Sequence, residues 1–126
     1  MTKPLLIVVD DEPAIGEIFS FIAERIDVEL QVAVSGAGFK DLLKDYRPDV
    51  VCMDLVMPET SANELISWMA EHDVKAPVLL MSGYTEADID ELRENAKSVG
   101  VPISGFLNKP FSLDDAVTCL KKALAA

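Results

Sequence analysis

The stretch that decides the fold reads VVCMDLVMP and occupies residues 50–58. It begins as an unbroken apolar run, passes through Asp54 and ends in Met57-Pro58. An apolar run of this length without polar alternation predicts a strand that is covered on both faces, as in a parallel sheet. An acid inside such a strand is costly to bury unless it has a partner, so Asp54 is the first candidate functional residue.

Four further apolar runs flank this stretch at fairly regular intervals. They also predict short buried strands, because they are rich in Val, Ile and Leu. Together with the central run, the predicted strands are Leu5 to Val9, Leu30 to Val34, Val50 to Leu55, Val78 to Met81 and Ile103 to Leu107.

The segments between these runs repeat their apolar residues with helical spacing. Pro13 is well placed in the first turn of the first helix, and Ser112 is the predicted N-cap of the fifth. The apolar stripes comprise Ile15, Ile18, Ile22 and Ile26; Phe39, Leu42, Leu43 and Tyr46; Leu65, Ile66 and Met69; Ile89, Leu92, Ala96 and Val99; and Leu113, Val117, Leu120 and Leu124.

The chain order is therefore a strand followed by a helix, five times. Such alternation predicts a three-layer α/β sandwich of the flavodoxin-like (βα)5 type, with a parallel sheet in the order 2-1-3-4-5. The 126 residues fit one domain, and we expect residues 1–126 to form a single unit.

Composition disfavours several classes of function. The chain has 22 acidic and 11 basic residues and a formal net charge of -11, which disfavours direct binding of nucleic acid or of an anionic membrane. No apolar run approaches the ~20 residues that span a bilayer, and the apolar start is too short for a signal peptide. Cys52 and Cys119 have neither metal-site nor disulfide spacing and are expected to be small buried hydrophobes. We therefore expect a cytoplasmic protein.

Polar residues stand where four of the five predicted strands end. The first run ends in Asp10-Asp11, the third in Asp54 and the fourth in Ser82, and the fifth leads to Lys109. In an open parallel sheet, ligands bind outside the carboxyl ends of the strands. We therefore expect these five side chains to meet at one rim of the sheet.

Three acids at one rim call for a cation. Two carboxylates ~4 Å apart repel by ~4 kcal/mol at an effective dielectric constant of ~20, and Lys109 alone cannot neutralise three acids. Mg2+ is the natural ion, because it binds one or two carboxylates, carbonyl or phosphate oxygens and water. A carboxylate beside Mg2+ can attack a phosphoryl group and form an aspartyl phosphate, whose charge the metal and Lys109 would stabilise. Ser82 can donate its hydroxyl to a phosphoryl oxygen.

In this order, these residues resemble the receiver domains of response regulators in two-component systems. The resemblance covers essentially the whole chain, from Leu5 to Leu124. Each matching piece is weak alone, but together, each at a strand end, the pieces form a specific signal. They are Asp10-Asp11, Asp54 with Met57-Pro58, Ser82-Gly83 and Lys109-Pro110-Phe111.

The resemblance implies a role for each residue of the acid cluster. Asp54 would be the phosphoacceptor, Asp11 a direct ligand of Mg2+, and Asp10 the residue that holds metal-bound water. The backbone carbonyl of Val56 would supply a further metal ligand. Lys109 would bind the phosphoryl group, and its bond to the following proline would be cis.

The resemblance also implies signalling rather than classical enzyme activity. The chain would take a phosphoryl group from a sensor histidine kinase or a phosphotransfer protein and would later lose it by hydrolysis. The switch hydroxyl of Ser82 and the rotating ring of Phe106 would then change the surface of the fourth helix, fifth strand and fifth helix. That surface would serve a downstream effector that the sequence does not identify, a fused output domain or a homodimer, without direct binding to nucleic acid or a membrane.

The sequence departs from the family pattern in three respects. Ser61-Ala62 stands where many members carry Asp-Gly, and Ala tolerates a positive φ less well than Gly, which leaves the conformation of this loop open. Val56 and Tyr84 would flank the path of an attacking water, which predicts a long phosphoryl lifetime. The segment 87–105 is longer than typical, which indicates either an extra turn in the fourth helix or a small loop at residues 101–102.

Three other functions stay open at this point. A phosphatase-like enzyme with an aspartate nucleophile normally carries a second Asp two residues later, where this chain has Val56. A flavin or nucleotide binder needs a turn with free backbone N–H groups, whereas the first turn here is acidic and contains Pro13. A degenerate receiver would act only as a docking module, and the intact acid set argues against it.

Overall fold

The computed structural model describes residues 3–83 and 86–125, with the backbone alone for residues 86–88. Strands and helices alternate along the chain from β1 to α5. The strands are β1 (Leu5–Val9), β2 (Glu29–Ala33), β3 (Val50–Asp54), β4 (Val78–Ser82) and β5 (Ile103–Asn108). The helices are α1 (Pro13–Ile26), α2 (Gly36–Asp45), α3 (Ala62–Glu71), α4 (Glu86–Val99) and α5 (Leu113–Ala125).

All five strands are parallel and form one sheet in the order β2-β1-β3-β4-β5. The predicted fold class and strand order are therefore confirmed. Each predicted strand lies within one residue of the observed one at both ends. The inner strands β1, β3 and β4 are buried along their whole length, as expected for uninterrupted apolar runs, whereas the edge strands β2 and β5 are partly exposed.

The sheet separates two apolar cores. The first core packs one face of the sheet against α2, α3 and α4, and its largest fully buried side chains include Phe39, Leu65 and Met69. The second core packs the other face against α1 and α5 around Phe19 and Leu120. The predicted stripes of α1 and α3 supply these cores, which confirms their helical periodicity. The stripe of α4 does so through Leu92, Ala96 and Val99, whereas its first member, Ile89, belongs to neither core.

Helix ends follow from local hydrogen bonds. Ser112 accepts a hydrogen bond from the backbone N–H of Asp115, which confirms the predicted N-cap of α5. Ser61 caps α3 in the same way, since its hydroxyl accepts from the backbone N–H of Glu64. Ala62 is then the first residue of α3 and is buried, so the pair 61–62 forms a capped helix start and needs no positive φ.

The structure corrects two positions of the predicted stripes. Tyr46 lies beyond the end of α2 and is 38 % exposed, and Leu113 in the first turn of α5 is 47 % exposed. Both sit at a helix terminus, where the core no longer covers the apolar face. In the segment 87–105, α4 has 14 residues, as α1 does, and residues 100–102 link it to β5.

None of the helices in the described part of the chain combines the length and apolar character that a bilayer crossing needs.

A close contact joins the loop before α3 to the start of α2. A Cβ atom placed on Gly36 would lie 2.5 Å from Oγ1 and 2.8 Å from Cβ of Thr60. These distances are well inside van der Waals contact, so the absence of a side chain at Gly36 lets the two loops beside the sheet rim approach each other.

We predict that Gly36→Ala destabilises the protein by about 1–3 kcal/mol, because the new methyl group overpacks against Thr60. Equilibrium unfolding in urea measures the change. Gly105→Ala is the matched control, since its Cβ would meet only an ordinary contact at 3.6 Å. The added Thr60→Ala substitution should recover part of the loss. An unchanged midpoint for Gly36→Ala would show that the Thr60 loop moves aside freely.

Candidate functional site

Four strand ends bring the candidate residues to one rim of the sheet. Asp10 follows β1, Asp54 ends β3, Ser82 ends β4, and Lys109 follows β5. Because β1 pairs with β3 and β3 with β4, the residues at the carboxyl ends of these strands must lie side by side. The backbone confirms this, since Leu55 donates a hydrogen bond of 2.9 Å to the carbonyl of Met81, the residue before Ser82.

The three acids converge as the sequence predicts. One carboxylate oxygen from each of Asp10, Asp11 and Asp54 lies within 4.8 Å of the other two. Asp10 is 1 % exposed and Asp54 is 6 % exposed, while Asp11 is open to solvent. Three acids at this spacing, two of them buried, form a site that favours a bound cation.

Lys109 lies against the same carboxylates. Its Nζ is 2.7 Å from Oδ2 of Asp10 and 3.4 Å from Oδ2 of Asp54. Its backbone N–H donates to the carbonyl of Ser82 at 3.0 Å, which ties it to the end of β4. The Lys109-Pro110 bond is cis, as the family resemblance implied. One ammonium cannot balance three carboxylates, so the cluster keeps a net negative charge.

Short hydrogen bonds fix the orientation of the two buried carboxylates. Oδ1 of Asp10 accepts from the backbone N–H of Glu12 at 2.9 Å, and Oδ1 of Asp54 accepts from the backbone N–H of Val56 at 3.2 Å. In each case one oxygen faces its own loop while the other faces Lys109. The oxygens are thus held in place by the turns that follow β1 and β3.

The protonation states follow from burial and neighbouring charges. Burial raises the pKa of Asp54, and the charge of Asp10 adds to this rise; the N–H of Val56 and the ammonium of Lys109 oppose it without cancelling it. Burial alone would lower the pKa of Lys109, but its hydrogen bond to Asp10 and the charges of Asp10 and Asp54 raise it instead. Lys109 is therefore a fixed positive charge at neutral pH.

Solvent reaches the cluster from the side of Asp11. This residue borders a cavity of about 240 Å³ whose other walls come from the loops that follow β2 and β3, including Ser35 and Thr60. The oxygens of the cluster are hard donors of the kind that bind divalent cations such as Mg2+. Asp11, the exposed member, is the acid best placed to meet an incoming ion.

The remaining predicted residues lie on β4, β5 and the loop after β3. Ser82 is 2 % exposed, and Phe106 is partly buried against the first core. The side chain of Val56 is 51 % exposed, two residues beyond Asp54. Tyr84, which was predicted to flank the path of water, lies outside the described residues.

A parallel α/β sandwich with an acid cluster and a lysine at the carboxyl edge of its sheet is typical of phosphoacceptor signalling domains. The chain belongs to the response regulator receiver domain family, whose model matches residues 6–121. The family resemblance seen in the sequence is thereby confirmed.

Curated relatives agree with this assignment. The chain is 31% identical over 121 residues to the regulatory protein AtoC of Escherichia coli (strain K12), of which it spans 25%. It is 26% identical to the chemotaxis protein CheY of Halobacterium salinarum over the full length of both chains. It is 25% identical to the polar-differentiation response regulator DivK of Brucella ovis, covering 98% of each chain.

Solved structures share the fold. The chemotaxis response regulator CheY4 of Vibrio cholerae superposes with a TM-score of 0.82 at 24% identity, covering 98% of this chain and 100% of that one. The receiver domain of NtrX from Brucella abortus gives a TM-score of 0.79 at 23% identity, covering 96% and 98%. The comparisons give no support to the phosphatase-like alternative.

Sequence reasoning missed two members of the site region. Glu12 contributes its N–H to Asp10, and its carboxylate lies 3.9 Å from Nζ of Lys109; its place beside the acidic pair was the available signal. Thr60 lines the cavity beside Asp11 through its contact with Gly36, and no local pattern in the sequence indicates that contact.

We predict that Asp54→Asn raises the unfolding temperature by a few degrees at neutral pH in the presence of a chelator. The pKa of Asp54 is raised in the folded state, so its ionised form destabilises the fold. Lys109 keeps its shorter bond to Asp10 in the variant. The advantage should shrink as the pH falls through the folded-state pKa of Asp54, and it should vanish below the unfolded-state value.

Thermal unfolding followed by circular dichroism at several pH values measures this effect. Asp45→Asn is the control, because this substitution removes the same charge from an exposed residue at the end of α2. A lower unfolding temperature for Asp54→Asn at neutral pH would mean that the contact with Lys109 outweighs the cost of burial.

Proposed function

We propose that this receiver domain accepts a phosphoryl group on Asp54 in a Mg2+-dependent reaction. The observation that carries the proposal is the convergence of three carboxylates within 4.8 Å, with Lys109 in contact with two of them. Asp54 is the acid whose oxygens face both the loop after β3 and Lys109. It is also the residue that ends the central strand of the sheet.

The cation site is assigned to the acids and to one backbone group. Asp11 would bind Mg2+ directly, because it is the exposed acid at the cavity. Asp10 would hold metal-bound water, and Asp54 and the carbonyl of Val56 would complete the protein ligands. When bound, the ion neutralises carboxylate charge and withdraws electron density from phosphoryl oxygens.

The transfer step needs little more than positioning and charge. An oxygen of Asp54 attacks the phosphorus atom, an O–P bond forms, and the bond from phosphorus to the imidazole nitrogen of the donor phosphohistidine breaks. Lys109 offers a fixed ammonium to the phosphoryl oxygens, and the Ser82 hydroxyl can donate to one of them. Ser82 and Phe106 would then form the switch that changes the α4-β5-α5 surface.

The expected partners follow from the family. A sensor histidine kinase or a phosphotransfer protein would supply the phosphoryl group. The receiver would pass the signal to an effector, to a fused output domain or to a second copy through α4-β5-α5. The match covers 25% of AtoC, and the remainder of that protein is long enough for an output domain. The CheY relative, in contrast, is matched over its full length. We also propose that the module is cytoplasmic. Its net charge of -11 disfavours direct binding of nucleic acid or of an anionic membrane.

We predict that incubation with acetyl phosphate and Mg2+ adds the mass of one phosphoryl group to the wild-type chain. Asp54→Asn should gain nothing, because the attacking carboxylate is gone, and chelation of Mg2+ should abolish the wild-type adduct. Intact-protein mass spectrometry measures the change, and Asp45→Asn serves as a control that should react normally. Equal modification of wild type and Asp54→Asn, or of neither, would refute the proposal.

We further predict that the phosphoryl group on Asp54 is long-lived and that Val56→Asn shortens its lifetime severalfold. The exposed apolar side chain of Val56 offers no hydrogen bond to an attacking water, whereas an amide can orient one. Loss of phosphate is followed after removal of the donor. Leu113→Asn, a similar change at an exposed position on α5, should have no effect. Rapid loss from the wild type would contradict the predicted long lifetime.

A further inference from the structure

Helix α4 and strand β5 are joined by a contact between a cation and an aromatic ring. The guanidinium carbon of Arg93 lies 4.5 Å from the centroid of the Phe106 ring. Cations within ~6 Å of a ring centroid are attracted by the negative face of the ring. The contact spans two elements of the proposed output surface and involves the aromatic residue of the proposed switch.

Arg93 makes this contact although acids surround it in sequence. Asp90 precedes it by three residues, a spacing that would permit an ion pair on a helix surface, whereas the adjacent Glu94 does not face it. Among the side chains that the structure describes, none of the ion pairs involves Arg93. Its guanidinium is instead directed at the ring, which fixes the orientation of a long side chain on a solvent-exposed helix face.

The backbone from which Arg93 extends is firmly docked. Leu92 and Ala96 on either side are buried in the first core. Asn95 donates a hydrogen bond of 3.1 Å from Nδ2 to Oδ1 of Asn63 on α3. These contacts hold α4 against α3. The backbone of Arg93 is therefore fixed relative to the Phe106 ring on β5.

Phe106 is in turn placed to affect Ser82. Strand pairing sets Phe106 opposite Leu80, and Ser82 lies two residues further along β4. Side chains two residues apart point to the same face of a sheet, so Phe106 and Ser82 share the face covered by the first core. A contact that fixes the ring therefore acts on the side of the sheet where the Ser82 hydroxyl would have to move.

We infer that Arg93 is a positioning residue that holds the Phe106 ring in its resting place and thereby biases the receiver toward its unphosphorylated conformation. This inference rests on the proposed function, in which Phe106 and Ser82 form the switch. Movement of the ring toward Ser82 requires loss of the contact with the guanidinium. The free energy of the contact therefore favours the unphosphorylated conformation. It lowers the apparent affinity for a phosphoryl group by the same amount.

The test compares Arg93→Gln, which removes the cation, with Arg93→Lys, which keeps it without the planar guanidinium. Lys97→Gln is the matched control: Lys97 lies one turn further along α4 and lines the same groove against β5, and its loss changes net charge equally. Fluorine NMR of protein labelled with fluorophenylalanine reports the Phe106 ring, whose signal is assigned with Phe106→Tyr. Spectra are recorded without ligand and during titration with beryllofluoride and Mg2+.

For Arg93→Gln we expect the ring equilibrium to shift about fivefold away from the resting state, equivalent to about 1 kcal/mol and within the range for an exposed cation–π contact. The beryllofluoride concentration at half saturation should fall by the same factor. Arg93→Lys should lie between wild type and Arg93→Gln, and Lys97→Gln should match wild type. Thermal unfolding of each variant confirms that the fold is retained.

The inference is overturned if Arg93→Gln leaves the Phe106 signal and the beryllofluoride titration unchanged, or if Lys97→Gln shifts them equally. The second result would show a general effect of charge on α4. Failure of the proposed function is distinguishable, because a wild-type chain that takes no phosphoryl group from acetyl phosphate would still report the Phe106 ring in the ligand-free spectra of all four proteins.

Discussion

Mutual repulsion of carboxylates at the ends of β1 and β3 is the constraint on which the site depends. The two strands are hydrogen-bonded parallel neighbours, so the acids that follow or end them lie side by side. In a partly buried setting such a group is strongly unfavourable without positive charge nearby. Three groups each offset part of this repulsion: the backbone N–H of Glu12, the backbone N–H of Val56 and the ammonium of Lys109. The same arrangement leaves a residual negative field that a divalent cation can satisfy.

The fold and the acid cluster could be predicted from the sequence. The fold follows from the pattern of apolar residues, and the cluster follows from the rule that the carboxyl ends of parallel strands lie at one edge of the sheet. Apolar runs of about five residues define the strands, and their alternation with helical segments leaves a parallel sheet as the natural solution. Once strand order is known, residues at the carboxyl ends are neighbours. Asp10, Asp54 and Lys109 could thus be placed together from their positions relative to strands, without knowledge of any side-chain contact.

Other features could not be read from the sequence, for physical reasons that differ from case to case. Periodicity places Tyr46 and Leu113 on apolar stripes, but it cannot tell where the core stops covering a helix end. The contacts of Gly36 with Thr60 and of Arg93 with Phe106 join segments that share no period, and they depend on the final separation of packed elements. The conformation of residues 61–62 was open because Ser61 can serve a turn or a helix cap, and only the position of α3 decides between them.

The division of the interior into two cores has a consequence for how such a domain can change over time. The ring of Phe106 packs on the side of α2, α3 and α4, whereas α1 and α5 pack on the opposite face around Phe19 and Leu120. The sheet between them acts as a partition, so substitutions that remodel one side need not disturb packing on the other. A lineage could therefore repack one layer of helices while the acid cluster at the strand ends and the opposite core stay intact.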